Sequence, residues 1–208
     1  MHFKRSRREL NATAYHEAGH AVVACLMGIS VHSASILVDE TTLGRVTHRV
    51  FPPPQHADYR EPDMQARVAR RYWARFVSAA LAGPVAESIY TKCWKFDEFD
   101  RANPDEWAET TDEGKAWDIA SSIDPDAQAL RWLNRIRFST LELLQQQDMW
   151  QAVHAVAEAL LRKERLPGWQ VRRLVHAVLP QVETSAPLAA STGKLAAPWH
   201  RLSLNRML

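Results

Sequence analysis

The sequence predicts a predominantly α-helical α+β fold with one small β-hairpin or sheet. Three observations predict it. Apolar residues recur at helical spacing along most of the 208 residues. Only one pair of neighbouring segments, at 31–38 and 44–51, alternates as strands do. A hydrophobic content of 46% at a net charge of +2 fits a packed core and not a disordered chain.

The elements follow in order. Asn11 or Thr13 is placed to cap a first helix, and Gly28 to end it. "VHSASILV" and "GRVTHRVF", joined by the turn-like "DETTLG", read as a hairpin. "FPPPQ" is a loop, since proline neither donates to a sheet nor continues a helix. Pro62 opens a long helix with Met64, Val68, Phe76, Val77, Ala80 and Leu81 on its apolar side. Gly83-Pro84 is expected to kink or divide it. Residues 92–109 read as a loop or insertion. Asp112 caps a helix carrying Ala116, Ile119, Ala120 and Ile123 on one face. "DPD" at 124–126 stops it and starts the next, with Leu130, Leu133, Ile136 and Leu141. A helix from Asp148 to Arg165 ends at "LPG", and a short one spans Trp169 to Leu179. The expected organisation is a flexible basic arm (1–10), one domain (11–180) and a mobile tail (181–208).

Bulk properties narrow the function. A near-neutral chain gives no strong field for nucleic acid. Arg67, Arg70, Arg71 and Arg75 lie among acidic residues and read as a solvated helix face. Two cysteines give no disulfide framework. The apolar run from Ala21 to Met27 is too short to span a bilayer, and no signal-peptide core precedes it. The expectation is a soluble, cytoplasmic protein.

Within the first helix, "TAYHEAGHAVVACLMG" places His16, Glu17 and His20 in an otherwise apolar run. Burying such groups without partners costs several kcal/mol, about 2–7 for even a neutral polar group, so partners are required. His16 and His20, four residues apart, stack on one helix face and can grip one metal ion. Glu17 follows the first histidine and can take a proton from water. This is the H-E-x-x-H arrangement, whose usual ion is Zn2+. Two histidines leave a tetrahedral catalytic site one protein ligand short; by side chain alone the candidates are Glu87, Asp112, Asp118 and His48. Gly19 lets a backbone or a substrate come close, or serves tight helix packing.

"AYHEAGHAVVA" resembles the opening of the protease domain of FtsH-type, AAA-associated zinc metallopeptidases. "VHSASILVDETTLGRVTHRV" is similar to that family's hairpin, "LAGPVAESIY" to its "GGR-AEE-" helix, and "ALLRKERLPGWQVRRLV" to its closing helices. These segments stand in the family's order over about residues 12 to 179. The resemblance implies a zinc-peptidase helical domain. It implies a third ligand at Asp118, where "GKAWDIASS" stands for the family's "GA-NDL--AT", with Glu87 as runner-up. The family's membrane anchor and ATPase module are not in this sequence, and "STGK" at 191–194 is no phosphate loop.

The reading is therefore a zinc-dependent metallopeptidase acting on peptides or unfolded polypeptides, alone or docked on a separate ATPase or regulatory partner. His16, His20 and Asp118 hold the metal and Glu17 is the base. Val46, Thr47 and His48 are placed to pair with an extended substrate. The alternative is a catalytically silent zinc-binding regulatory domain of the same fold.

Overall fold

A computed structural model describes residues 5–38, 43–48, 62–93, 111–124 and 126–179. Among them are helices α1 (Arg7–Leu26), α2 (Pro62–Thr91), α3 (Asp112–Ser121), α4 (Asp126–Leu144), α5 (Gln147–Lys163) and α6 (Gly168–Val178). The strands are β1 (Val31–Ser35), β2 (Arg45–His48) and β3 (Arg165–Pro167). The fold is mostly helical with a small antiparallel sheet, ordered β2-β1-β3. None of the helices is long and apolar enough to cross a membrane. The expected tail at 181–208 and most of the 92–109 insertion lie outside the described residues.

α1 runs through the centre of the larger core. Its residues from Ala14 to Leu26 are buried on nearly every face, against α2, α5, α6 and β1. It begins one turn before Asn11. Ser6 accepts from the Glu9 backbone N–H while the Glu9 carboxylate accepts from the Ser6 N–H, a reciprocal capping box. Its other end is a Schellman turn: Gly28, at φ 67°, donates to the Cys25 carbonyl and Ile29 donates to that of Ala24. This turn aims the chain straight into β1. Arg75 of α2 donates to the Met27 carbonyl at 2.6 Å, a cation on the negative end of α1.

The hairpin forms as expected, with Ala34 opposite Val46 and Ser35 opposite Arg45. β3 is an addition to the expected fold. It pairs Leu166 with Ala34 on the other side of β1, using the "RLP" that reads from sequence as a helix end. β2 is thus left with β1 as its one partner among the described residues.

α2 is a single helix, not a divided one, and it runs through Pro84. Its packing explains why. Phe76, Ala79, Ala82, Val85 and Ala86 belong to the core around α1. Ala74, Val77 and Leu81 belong to a second core with α3 and α4. Burial on two sides outweighs the roughly 3 kcal/mol that proline costs within a helix. Arg70 forms an ion pair with the buried Asp124 at the end of α3. Arg70 and Arg75 therefore hold elements together, and the solvated face expected of them is not what the structure shows.

Candidate metal centre

His16 and His20 lie on α1 where α2 crosses closest. A Cβ on Gly19 would fall 2.4 Å from the Ala82 carbonyl oxygen, so this glycine is set by helix packing. One turn along, a Cβ on Gly83 would lie 2.2 Å from His20 Nε2 and 2.7 Å from His16 Nε2. Any side chain there would fill the space that the two imidazoles face. α3 contributes the third group from its first position: Asp112 Oδ2 is 2.9 Å from His16 Nε2 and 3.1 Å from His20 Nε2. The two Nε2 atoms are 3.1 Å apart. His16, His20 and Asp112 form the group able to hold a metal ion among the described residues.

The hydrogen bonds behind the triangle fix its chemistry. His20 Nδ1 lies 2.7 Å from the Ala79 carbonyl oxygen, which can only accept, so Nδ1 carries a hydrogen. His16 Nδ1 donates to Glu87 Oε2 at 2.9 Å. In neutral rings both Nε2 atoms then present lone pairs to each other and to a carboxylate oxygen. Three electron-rich atoms at this spacing require a cation among them, either protons or a metal ion. With protons alone, the His16 imidazole is raised to about 10, because its bonds to Asp112 and Glu87 outweigh the opposing effect of burial. Burial raises Asp112 too, but the charges and hydrogen bonds of His20 and His16 hold it well below the usual carboxylate range.

Glu17 is 5% exposed and faces the same cleft. Burial pushes its carboxyl above the ordinary value, and the two imidazoles oppose that shift. Gly44 closes over it: a Cβ at 44 would fall 2.6 Å from Glu17 Oε1. The rim here is tied down by Arg5, which donates to the Ile36 carbonyl at 2.6 Å and to the Leu43 carbonyl at 2.9 Å. Arg5 is thus bonded to the hairpin and is no part of a free arm. The cleft itself is about 790 Å³ and runs between β2 and α2.

The structure brings together His16, Glu17 and His20, and adds Asp112 to them, not Asp118. Asp118 is exposed on α3. Six residues beyond Asp112, it points about 120° away around the helix and sits about 9 Å further along it. Glu87 reaches His16, but at the nitrogen opposite the triangle, so it orients the imidazole where the sequence offered it as a ligand. Val46 and His48 line the cleft. Thr47 does not; its hydroxyl is turned to Ser33, 2.9 Å away. Sequence reasoning passed over Gly44, Gly83, Arg5 and the Ala79 carbonyl. Gly44 reads from sequence as the end of the hairpin turn and Gly83 as part of a helix break, so neither signalled a place at the site.

No family model matches the chain. It is 26% identical over 187 residues to the ATP-dependent zinc metalloprotease FTSH 9, chloroplastic/mitochondrial, of Oryza sativa subsp. japonica. That match covers 81% of this chain and 22% of the relative, so the chain spans about a fifth of that protein's length. The likeness is a distant one to an FtsH-type zinc metalloprotease.

Proposed function

We propose that the chain is a zinc-dependent metallopeptidase that hydrolyses peptide bonds in peptides or unfolded polypeptide segments. The observation that carries this reading is the triangle of His16 Nε2, His20 Nε2 and Asp112 Oδ2 with the buried Glu17 carboxylate beside it. Two imidazoles and one carboxylate are a catalytic zinc donor set, with one position left for water or substrate. Tetrahedral bonds of about 2.0 Å space ligand atoms about 3.3 Å apart, and the observed 2.9–3.1 Å lies within a few tenths of that. Ferrous iron accepts the same donors. Glu17 favours hydrolysis, because a base next to the triangle has no use in a site that only binds.

When bound, zinc supplies a Lewis acid that polarises the scissile carbonyl and acidifies the attacking water. Glu17 accepts the water's proton on its carboxylate and returns it to the leaving amine. Gly44 keeps the carboxylate in place from above. His16 and His20 are held in the right tautomer by Glu87 and the Ala79 carbonyl. The side of β2 that no other described strand pairs offers main-chain groups to an extended peptide, with Val46 and His48 facing the cleft. A cleft that takes one extended strand admits unfolded segments, and folded substrates require a separate unfolding partner.

The test is cleavage of an unfolded, fluorescently labelled polypeptide by zinc-loaded protein beside its Glu17→Gln variant. The expected result is cleavage by the wild type, and a rate at least about a hundredfold lower in Glu17→Gln with zinc still bound. A wild type that is silent at full zinc occupancy, or a variant as fast as wild type, overturns the reading. Silence would favour the zinc-binding regulatory domain.

A further inference from the structure

We propose that the cleft carries an aromatic subsite, built by His48, Trp73 and Phe76, that selects a large apolar or aromatic substrate side chain three to four residues from the scissile bond. This deepens the metallopeptidase reading and rests on it.

The placement comes from two walls that run together. On α2, Trp73, Phe76, Ala80 and Glu87 line the cleft, and with Gly83 they recur at alternating spacings of three and four, so they share one face. Gly83 lies at the histidine nitrogens. At 1.5 Å per residue, Phe76 is about 10 Å and Trp73 about 15 Å further along that face. On the opposite wall, the chain starts at Gly44, which sits on Glu17, and follows β2 to His48. That is about 13 Å of extended chain. The two walls meet again there: the His48 and Phe76 rings are 6.2 Å apart and 29° from parallel. A peptide lying extended along β2 from the metal triangle advances about 3.3 Å per residue. Its third or fourth residue therefore reaches the aromatic patch.

The chemistry of the two ends differs. Glu17, Asp112 and Lys115 gather at the triangle end of the cleft. The far end is made of rings. Trp73 and Phe76 have centroids 5.4 Å apart, and Tyr72 packs edge-on to Trp73 at 5.2 Å. Phe76 is buried at 8% exposure, which fixes the floor. Trp73 is only half-buried, although it touches both cores, and it contributes to the cleft wall. A ring set with an open face accepts another apolar or aromatic group in stacked or edge-to-face contact. Between the two ends α2 offers only Ala79 and Ala80, which leave the intervening peptide positions unselected.

The experiment uses the zinc-loaded full chain and a set of unstructured peptides. They share one cleavable sequence, and a single tryptophan is moved through the five positions on either side of the cut. Cleavage sites and kcat/KM are read by mass spectrometry, and binding to Glu17→Gln protein by fluorescence anisotropy. The expected profile peaks about tenfold above the all-alanine peptide when tryptophan stands three or four residues from the cut on one side. Binding to Glu17→Gln follows the same profile. Trp73→Ala flattens it, and Trp73→Phe retains it. A flat profile in a protein that cuts the peptides overturns the subsite and leaves the peptidase reading standing. So does a peak that persists in folded Trp73→Ala. Failure to cut any peptide at full zinc occupancy overturns the peptidase reading, and the subsite with it. If Trp73→Ala does not fold, the wild-type profile decides alone.

Discussion

α1 and α3 both deliver side chains to the metal triangle, and they are built in opposite ways. α1 is enclosed by the larger core from Ala14 to Leu26, so its two histidines inherit positions set by some of the most buried residues in the chain. α3 buries only Gly114, Ala116 and Ala120, and it projects Asp112 from its first turn. What fixes that turn is local: the Thr111 hydroxyl accepts from the Gly114 N–H at 3.0 Å, and Lys115 pairs with the second carboxylate oxygen at 3.4 Å. Two corners of the triangle are thus held by the fold and the third by a helix end. A change on the α1 side of the triangle should disturb metal binding and core packing together, and a change at Asp112 should disturb metal binding and the ion pairs of the triangle without touching the core.

The sharpest way to break that contrast is Gly83→Ala. The added methyl meets both Nε2 atoms, and α1 and α2 are too closely packed to move apart. We expect zinc affinity to fall by more than a hundredfold and thermal unfolding to show a loss of about 1–3 kcal/mol, as overpacking usually costs. Zinc titration with a competing chelator and a melting curve measure the two. An alanine variant that binds zinc normally would mean that the triangle is not where the metal sits.

Asp112→Asn is next. It keeps the shape and removes the charge. Zinc affinity should drop more than the 10–100-fold typical of an orienting residue, and the metal-free melting temperature should fall as the ion pairs of Asp112 with His16 and His20 are lost. Asp118→Asn is its control and should change neither. The reverse outcome would return the third ligand to Asp118. Glu87→Gln should fall inside the 10–100-fold range, since it weakens the bond that orients His16 without removing a ligand. The smallest effect belongs to Arg5→Ala. Losing its two bonds to the hairpin carbonyls should cost about 1–3 kcal/mol of local stability. Faster amide exchange at the hairpin residues, with zinc affinity unchanged, is the expected signature.

The same contrast explains how much the sequence reveals. His16, Glu17 and His20 are legible because their geometry is internal to one helix, where a spacing of four fixes which side chains stack. The hairpin is legible for the same reason, since both strands and their turn are contiguous. Gly28 is legible because the αL position that ends α1 strongly favours it. Asp112 is not, although it stood among four candidate side chains. Choosing between it and Asp118 depends on how α3 is tilted against α1, and no local pattern encodes a tilt. β3 is three residues long, too short to show alternation, and it exists because β1 has a free side to pair. Pro84 does not divide α2, because helix propensity is a local cost that burial against two cores overrides. The capping box at Ser6 and Glu9 was readable as S-x-x-E, but the basic residues around it drew the reading towards a free arm.

Arg5 gives the cleft an unusual dependence. It precedes the first helix, yet its guanidinium bridges the Ile36 and Leu43 carbonyls on the two flanks of the hairpin connection. Gly44, which presses on Glu17, follows Leu43 directly. One guanidinium therefore ties the start of α1 to the lip over Glu17, so the seating of that lip depends on how the first helix begins.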